Sequence, residues 1–431
     1  MNYHIFFDIL IIVTGIVWGS ELFYAYYHLR KTKNLEDVDL LEHKKWPRVT
    51  LLIPACNEEK TIESAMTSIL FEDYPDVEII LIDDRSTDRT GEIIERIASF
   101  DSRVVPLHIK KLPEGWLGKV HALRCGAERA TGEYIILTDA DIHYKKGCLR
   151  SAVDYMMKNE LDYLSLISDL VVESWPLGCA LSLFFLSTFS MLGKNQIRKT
   201  HSCGPFGMGV FALVRKDYLS SLNAFEKLKM EVIDDTGLGQ IVHNAGGKKD
   251  VLYSDGKIRI NWYRNIQDFL NGFEKNAFAL MCGYSFKTYW LLFLPLTTLG
   301  ALLPFLFIAS FFDPHVWPVG AYMVVLGIMV CQKMSKRMAI PLHYSLGYPV
   351  GIYPLLFSAH RSAYFAWKNK GVNWRGTHYS LEALRRNQVV NFRSLVAAGR
   401  HHPKVLVRPL KIIKPDIHKS VDQKDDKKIA S

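Results

Sequence analysis

The chain has 431 residues, a formal net charge of +9 and 49% hydrophobic residues, too many for one ordinary domain and enough for an α/β core of about 240 residues plus membrane segments. The apolar residues gather at the N-terminus and between 288 and 360. Much of the basic excess lies beside them, at Arg30, Lys31, Lys33, Lys333, Lys336 and Arg337, or near the end, at Lys404, Arg408 and Lys411, which points to a lipid surface rather than nucleic acid as partner. Seven cysteines without a C-x-x-C pair indicate neither a disulfide framework nor a zinc site and fit a reduced cytosolic face.

Residues 1–30 read as a transmembrane anchor: Ile5 to Tyr27 is apolar apart from Asp8, Thr14, Ser20 and Glu21, and its only basic flank is C-terminal. That asymmetry predicts an N-terminus outside and a following domain in the cytoplasm. A cleaved signal peptide would need the basic n-region that is missing here.

From Val49 onward, short β-branched runs alternate with helical stretches. Strands are predicted at Val49–Ile53, Val77–Ile82, Val104–Leu107 and Tyr134–Leu137, with helices at Glu58–Leu70, Asp88–Ser99 and Val120–Arg129 between them. The alternation implies crossover units and a mainly parallel sheet, an α/β domain over 45–285 whose ligands bind at the strands' carboxyl ends. Residues 177 to 192 form an uncharged run of sixteen, short for a span. A helix over about 176–193, lying on or dipping into the interface, is expected, because a span would put the two halves of the site on opposite faces.

Farther on, 288–312 and 316–330 read as two spans of a membrane region covering 288–360. Its last stretch, 340–359, carries Pro341, Gly347, Pro349, Gly351 and Pro354, and broken backbone at membrane depth needs shelter in protein, so a re-entrant path is expected. Residues 361–431 are expected to form a basic cytoplasmic tail whose last dozen residues are disordered.

Four acidic or glycine-rich elements carry chemistry. Ile82-Asp83-Asp84-Arg85-Ser86-Thr87-Asp88 closes a strand, where carboxylates can accept from a base N–H and ribose hydroxyls and Ser86 or Thr87 can cap the next helix; a plain capping loop is the alternative. Leu137-Thr138-Asp139-Ala140-Asp141 closes another, and on an extended chain Asp139 and Asp141 share a side, suited to a hard cation bridging diphosphate oxygens. In Pro113-Glu114-Gly115-Trp116-Leu117-Gly118-Lys119 the glycines allow close backbone approach and Lys119 can neutralise phosphate, unless it is a solvated lysine in a turn. Asp234-Asp235-Thr236-Gly237-Leu238-Gly239 opens a helix, where carboxylates can also be simple caps. Trp262, Arg264 and Lys275, with Phe269 and Phe273, make an aromatic and basic stretch that either holds a lipid headgroup or anchors a helix at the membrane surface.

In this order, Pro54-Ala55-Cys56-Asn57-Glu58-Glu59, Asp83 to Asp88, Gly118-Lys119, Thr138 to Asp141 and Asp234 to Gly239 resemble the family 2 nucleotide-sugar glycosyltransferases over about 49–285. Gly115 to Lys119 and Trp374-Arg375-Gly376 are similar to the hopanoid- and carotenoid-associated members. The resemblance implies a GT-A, Rossmann-like fold between N- and C-terminal transmembrane helices, a UDP-sugar donor, and Mg²⁺ or Mn²⁺ held through Asp139 and Asp141. It further implies donor contacts at Pro54, Asn57, Glu58, Asp83, Asp84, Lys119 and Asp139, and Asp235 as the base of an inverting displacement, with Asp234 beside it. Asp234 stands where many members carry Glu, and no Q-x-x-R-W follows the acidic pair, which argues against a cellulose- or hyaluronan-type polymerase. The expectation is an inverting transferase at the cytoplasmic face of a multi-pass plasma-membrane protein, with an isoprenoid-like lipid acceptor and no nucleic-acid partner. Polysaccharide glycosylation and a non-catalytic membrane scaffold are the competing readings.

Overall fold

The structure is a computed structural model and describes residues 3–36, 45–197, 204 and 206–390. The basic positions Lys404, Arg408 and Lys411 and the expected disordered end lie outside the described residues.

Between residues 45 and 285 the described strands are, in chain order, β1 (Val49–Ala55), β2 (Val77–Asp84), β3 (Val104–Ile109), β4 (Tyr134–Leu137), β5 (His143–Tyr144), β6 (Tyr163–Ile167), β7 (Asp169–Leu170), β8 (Ala212–Arg215), β9 (Lys249–Tyr253) and β10 (Ile258–Ile260). Seven make the central sheet in the order β3-β2-β1-β4-β8-β6-β9, and β5, β10 and β7 form a small second sheet. All pairings of the central sheet are parallel except those of β8, which runs antiparallel to β4 and β6. The leading strands are almost wholly buried, as expected for apolar runs covered by helices on both faces. The fold is mixed α/β with a mainly parallel sheet, as the alternation predicts. Helices Ile62–Leu70, Thr90–Phe100 and Gly118–Arg129 provide the crossovers; the first begins four residues later than predicted because Glu58 and Glu59 are used in a loop described below.

The helix expected over 176–193 runs as Trp175–Ile197. At 23 residues it is long enough to cross a bilayer, but 72% of its most apolar window is buried inside the protein. Its partners explain the burial. Phe189 stacks on His28 with ring centroids 5.1 Å apart, Ser190 and Lys194 both bond Glu21, and a Cβ at Gly193 would stand 2.0 Å from the Tyr24 carbonyl oxygen. Most of the helix's apolar surface is spent against the N-terminal helix Tyr3–Lys31 and the α/β core.

The N-terminal helix is itself tied to the sheet edge. Leu35 N–H donates to Tyr253 O at 2.8 Å and Tyr253 N–H donates to Lys33 O at 3.0 Å. Its other end exposes Ile5, Phe6, Phe7, Ile9 and Ile16. The expected span 288–312 is interrupted: a short helix Phe286–Thr288 and a π-helical turn Tyr289–Phe293 precede helix Leu294–Ala309. The next span is one helix, Trp317–Met338. Phe305, Ile308, Tyr322 and Val325 on these helices are also exposed, an apolar surface of the kind that hydrocarbon covers.

Helix Trp317–Met338 ends at the domain, where Arg337 bonds Asn34. The chain then turns back. In helix Leu342–Leu346 Ser345 accepts from Cys331 through its carbonyl, and Tyr348 packs on Trp18. Helix Ile352–Lys368 returns to the domain, where Ser362 Oγ accepts from Phe278 N–H at 3.0 Å. The chain thus leaves the domain side and comes back to it as a broken helical pair. It delivers a hairpin, β11 (Gly371–Trp374) and β12 (Thr377–Ser380), with Trp374 opposite Thr377. Arg375 and Gly376 between them have φ of +47° and +78°, the two-residue turn whose twist suits a hairpin.

Candidate active site

A cleft with about 930 Å³ of open space lies at the carboxyl ends of β1, β2 and β4. Pro54 and Glu58 reach it from β1 and the loop after it, Asp84 from β2, Asp139 and Asp141 from the loop after β4, and Lys119 from the first turn of helix Gly118–Arg129. Asp234 enters from the first turn of helix Asp234–Asn244, and Trp262 and Lys275 close the side toward the helical layer.

Lys119 is the electrostatic centre of the floor. Its ammonium lies 2.8 Å from Asp139 Oδ1 and 3.3 Å from Asp234 Oδ2. Burial alone would depress its proton affinity, but Asp139, Asp234 and Asp235 outweigh it and hold the lysine charged well beyond its ordinary range. Gly118 is needed beside it: a Cβ there would come within 2.4 Å of Asp84 Oδ2. Asp84 is gripped by Arg85, whose Nε and Nη2 donate at 2.8 and 3.2 Å.

The two members of the acidic pair differ. Asp234 lines both the cleft and a smaller void beside it, whereas Asp235 lines only that smaller void, which Lys119 and Asp139 also line. Asp235 accepts from Gly209 N–H at 2.8 Å and Thr236 N–H at 2.6 Å. Burial, then repulsion from Asp234, raises its proton affinity, against the pull of Lys119. Asp141 is pushed up to about 7 by burial and by the Asp139 and Glu58 carboxylates.

The D-x-D carboxylates reach the same cleft, though by a different route from the extended chain expected. Residues 138–142 form a turn after β4, and this turn brings Asp139 and Asp141 together. Among the described residues no three His, Cys, Asp or Glu side chains converge to hold an ion by themselves. Two carboxylates at one cleft match a Mg²⁺-type site that is completed by substrate phosphate oxygens and water.

Three expected contacts are not brought to the cleft. Neighbouring strand residues face opposite ways, so Asp83 points away from Asp84, accepts from Ser86 N–H at 3.0 Å and meets His108 Nδ1 at 3.1 Å. Asn57, at φ +58°, accepts from Thr87 N–H at 2.8 Å and donates its own N–H to Ser86 Oγ, stapling the loops after β1 and β2. Glu58 and Glu59 N–H groups join that staple through Thr90 and Asp88. Ser86 and Thr87 cap nothing; Asp88 accepts from Thr90 N–H instead. Arg264 is exposed and lines no part of the cleft.

The structure adds residues absent from the predicted set: Arg85, Trp374, Arg375 and Tyr379. Arg375 bonds the Cys56 carbonyl and places Nη2 3.0 Å from Glu58 Oε1. Trp374 lies under the Lys275 ammonium, 3.9 Å from ring centroid to Nζ. The Trp374-Arg375-Gly376 triplet was the available signal, since a bulky aromatic and a guanidinium before a left-handed glycine make an exposed turn that must cover something.

Residues 50–222 match the model of the family described as Glycosyl transferase family 2. A poly-beta-1,6-N-acetyl-D-glucosamine synthase of Staphylococcus epidermidis is 34% identical over 143 residues, 32% of this chain and 32% of that protein. A putative teichuronic acid biosynthesis glycosyltransferase of Bacillus subtilis (strain 168) is 33% identical over 112 residues, 26% of this chain and 43% of that protein. The chain therefore matches less than half the length of either relative. Among solved structures, the mannosyltransferase PcManGT from Pyrobaculum calidifontis in complex with GDP-Man and Mn²⁺ is similar with a TM-score of 0.50 and 16% identity, over 82% of this chain and 99% of that one. That likeness is one of fold, the GT-A type.

Proposed function

We propose that this chain, whose residues 50–222 belong to glycosyl transferase family 2, transfers a sugar from a UDP-sugar to a lipid-like acceptor at the cytoplasmic face of the plasma membrane, with inversion at C1. The observation that carries the reading is the gathering of Asp84, Lys119, Asp139, Asp141 and Asp234 in one cleft whose opposite wall, Trp262, packs on Phe184 and Phe185 of the long apolar helix. That helix in turn packs on the N-terminal helix, whose far end exposes Ile5, Phe6 and Phe7, so a donor cleft on one side of Trp262 and an apolar helical layer on the other suit a water-soluble donor and a bilayer-borne acceptor.

Asp139 and Asp141 would hold Mg²⁺ or Mn²⁺, which when bound neutralises charge on the donor diphosphate. Asp235 takes the acceptor's proton. Asp234 is spent on Lys119, whereas Asp235 has backbone N–H partners and an environment that raises its proton affinity, the property a base needs near neutral pH. The acceptor oxygen then bonds C1 as the C1–O bond to the diphosphate breaks.

Polysaccharide transfer is the second reading, supported by the similarity to the poly-beta-1,6-N-acetyl-D-glucosamine synthase of Staphylococcus epidermidis. Membranes carrying the chain, incubated with a panel of labelled UDP-sugars, separate the two. The lipid reading expects label in the organic extract; label confined to water-soluble polymer would replace it with the second reading, and no transfer from any donor would remove both.

A further inference from the structure

Of the charged side chains that line the cleft, nearly all are matched within the protein. Glu58 is paired with Arg375, Asp84 with Arg85, and Asp139 and Asp234 with Lys119. Two are not: among the described residues, Asp141 and Lys275 have no ion-paired or hydrogen-bonded side-chain partner. They are of opposite sign and share one cleft. Both are partly withdrawn from water, where a charge without a partner is costly, so both positions suit something that the ligand brings. Asp141 suits a cation; Lys275 suits an anion.

Lys275 is held for that task rather than left loose. It follows helix Ile266–Glu274, whose Phe269 and Phe273 are buried, and its ammonium is seated on the Trp374 ring presented by the hairpin. Burial, then repulsion from Lys119 and Arg375, lowers its proton affinity to about 8, and the Asp234 and Asp139 carboxylates, committed to Lys119, offset this only in part. Lys119, the residue the sequence offered for phosphate, already has two carboxylates.

We infer that Lys275, seated on Trp374, is the cation that receives the diphosphate of the nucleotide donor and of the nucleotide product. The inference rests on the nucleotide-sugar reading above. When the C1–O bond breaks, its electron pair stays on the β-phosphate oxygen while the acceptor's proton goes to Asp235, and Lys275 stands where that new charge is met. A donor diphosphate and an anionic acceptor headgroup offer the same chemistry to an ammonium, so the test must tell them apart.

Calorimetric titration of UDP with Mg²⁺ into the detergent-purified full chain is the direct measurement. Lys275→Met should weaken UDP binding by about 10- to 100-fold, the range for losing a hydrogen bond to a charged group. Lys275→Arg should stay within several-fold of wild type, and the KM for acceptor at saturating donor should not move. Trp374→Leu keeps the ammonium and should cost less than Lys275→Met; it also guards against a variant that merely misfolds. Unchanged UDP affinity in Lys275→Met overturns the inference, and if the acceptor KM rises instead, the anion belongs to the acceptor. Wild-type protein that binds neither UDP nor GDP overturns the donor reading itself.

Discussion

The floor and the roof of the cleft are built on different principles. The floor consists of strand ends and helix starts between Pro54 and Asp141 plus Asp234 and Asp235, where charges are matched over short distances: Lys119 with Asp139 and Asp234, Asp84 with Arg85. The roof is assembled from Trp262 and Lys275, which flank helix Ile266–Glu274, and from the hairpin at Trp374 to Tyr379, which helix Ile352–Lys368 delivers over the floor. It touches the floor at few points, chiefly Arg375 on Cys56 and Glu58. A preorganised floor suits chemistry, which requires fixed charges where charge develops; a roof tied at few points suits entry and release.

The largest effects should come from breaking the floor. Asp141→Ala should abolish sugar transfer, and added Mg²⁺ or Mn²⁺ should not restore it; transfer at the wild-type rate would remove the metal role. Asp235→Asn should lower kcat by roughly two to four orders of magnitude while UDP affinity is kept, and Asp234→Asn should instead disturb Lys119 and donor affinity. If the two variants exchange these outcomes in paired kcat and UDP-binding measurements, the base is Asp234.

Floor and roof also differ in how far they could be read from residues alone. Asp84 and Asp139 stand in short motifs that follow apolar runs, so alternation and strand-end logic reach them without tertiary knowledge, and Lys119 and Asp234 stand in short glycine-containing or acidic motifs that open helices. The same logic misplaces Asp83, because a one-residue step in a strand reverses the side chain, and Asn57, whose left-handed backbone turns it into a loop staple. The roof escapes for a different reason: Arg375 meets Cys56 across 319 positions of chain, and no local pattern encodes where a re-entering helix will deliver a hairpin. The helix Trp175–Ile197 shows the limit of composition, since the apolar run that suggests a lipid contact is buried against Tyr24, His28 and the core.

Smaller effects should sharpen the roof's role. Arg375→Ala removes a half-exposed tie, so the donor KM should rise about fivefold, the scale of an exposed ion pair, with kcat nearly unchanged; a collapse of kcat would make the hairpin part of the catalytic floor. Glu231 ties the segment that follows the hairpin to the turn before Asp234 by accepting from Ile233, Val389 and Val390 N–H groups, and burial raises it to about 7 from an ordinary 4.5. Because the folded state holds this proton more tightly, the stability it contributes is present below about 4.5 and is lost as pH rises through about 7. Across that window the wild-type Tm should fall by a few degrees relative to Glu231→Gln; parallel Tm curves would mean that Glu231 titrates alike in both states.

The most direct test of the account is a single assay on purified full-length protein in nanodiscs, supplied with UDP-sugar and lipid extract, with Mg²⁺ or with chelator, the glycolipid product being examined by NMR at C1. The account predicts product only with the divalent cation and with the anomeric configuration inverted from that of the donor. Full turnover in chelator, or a product retaining the donor's configuration, would contradict it.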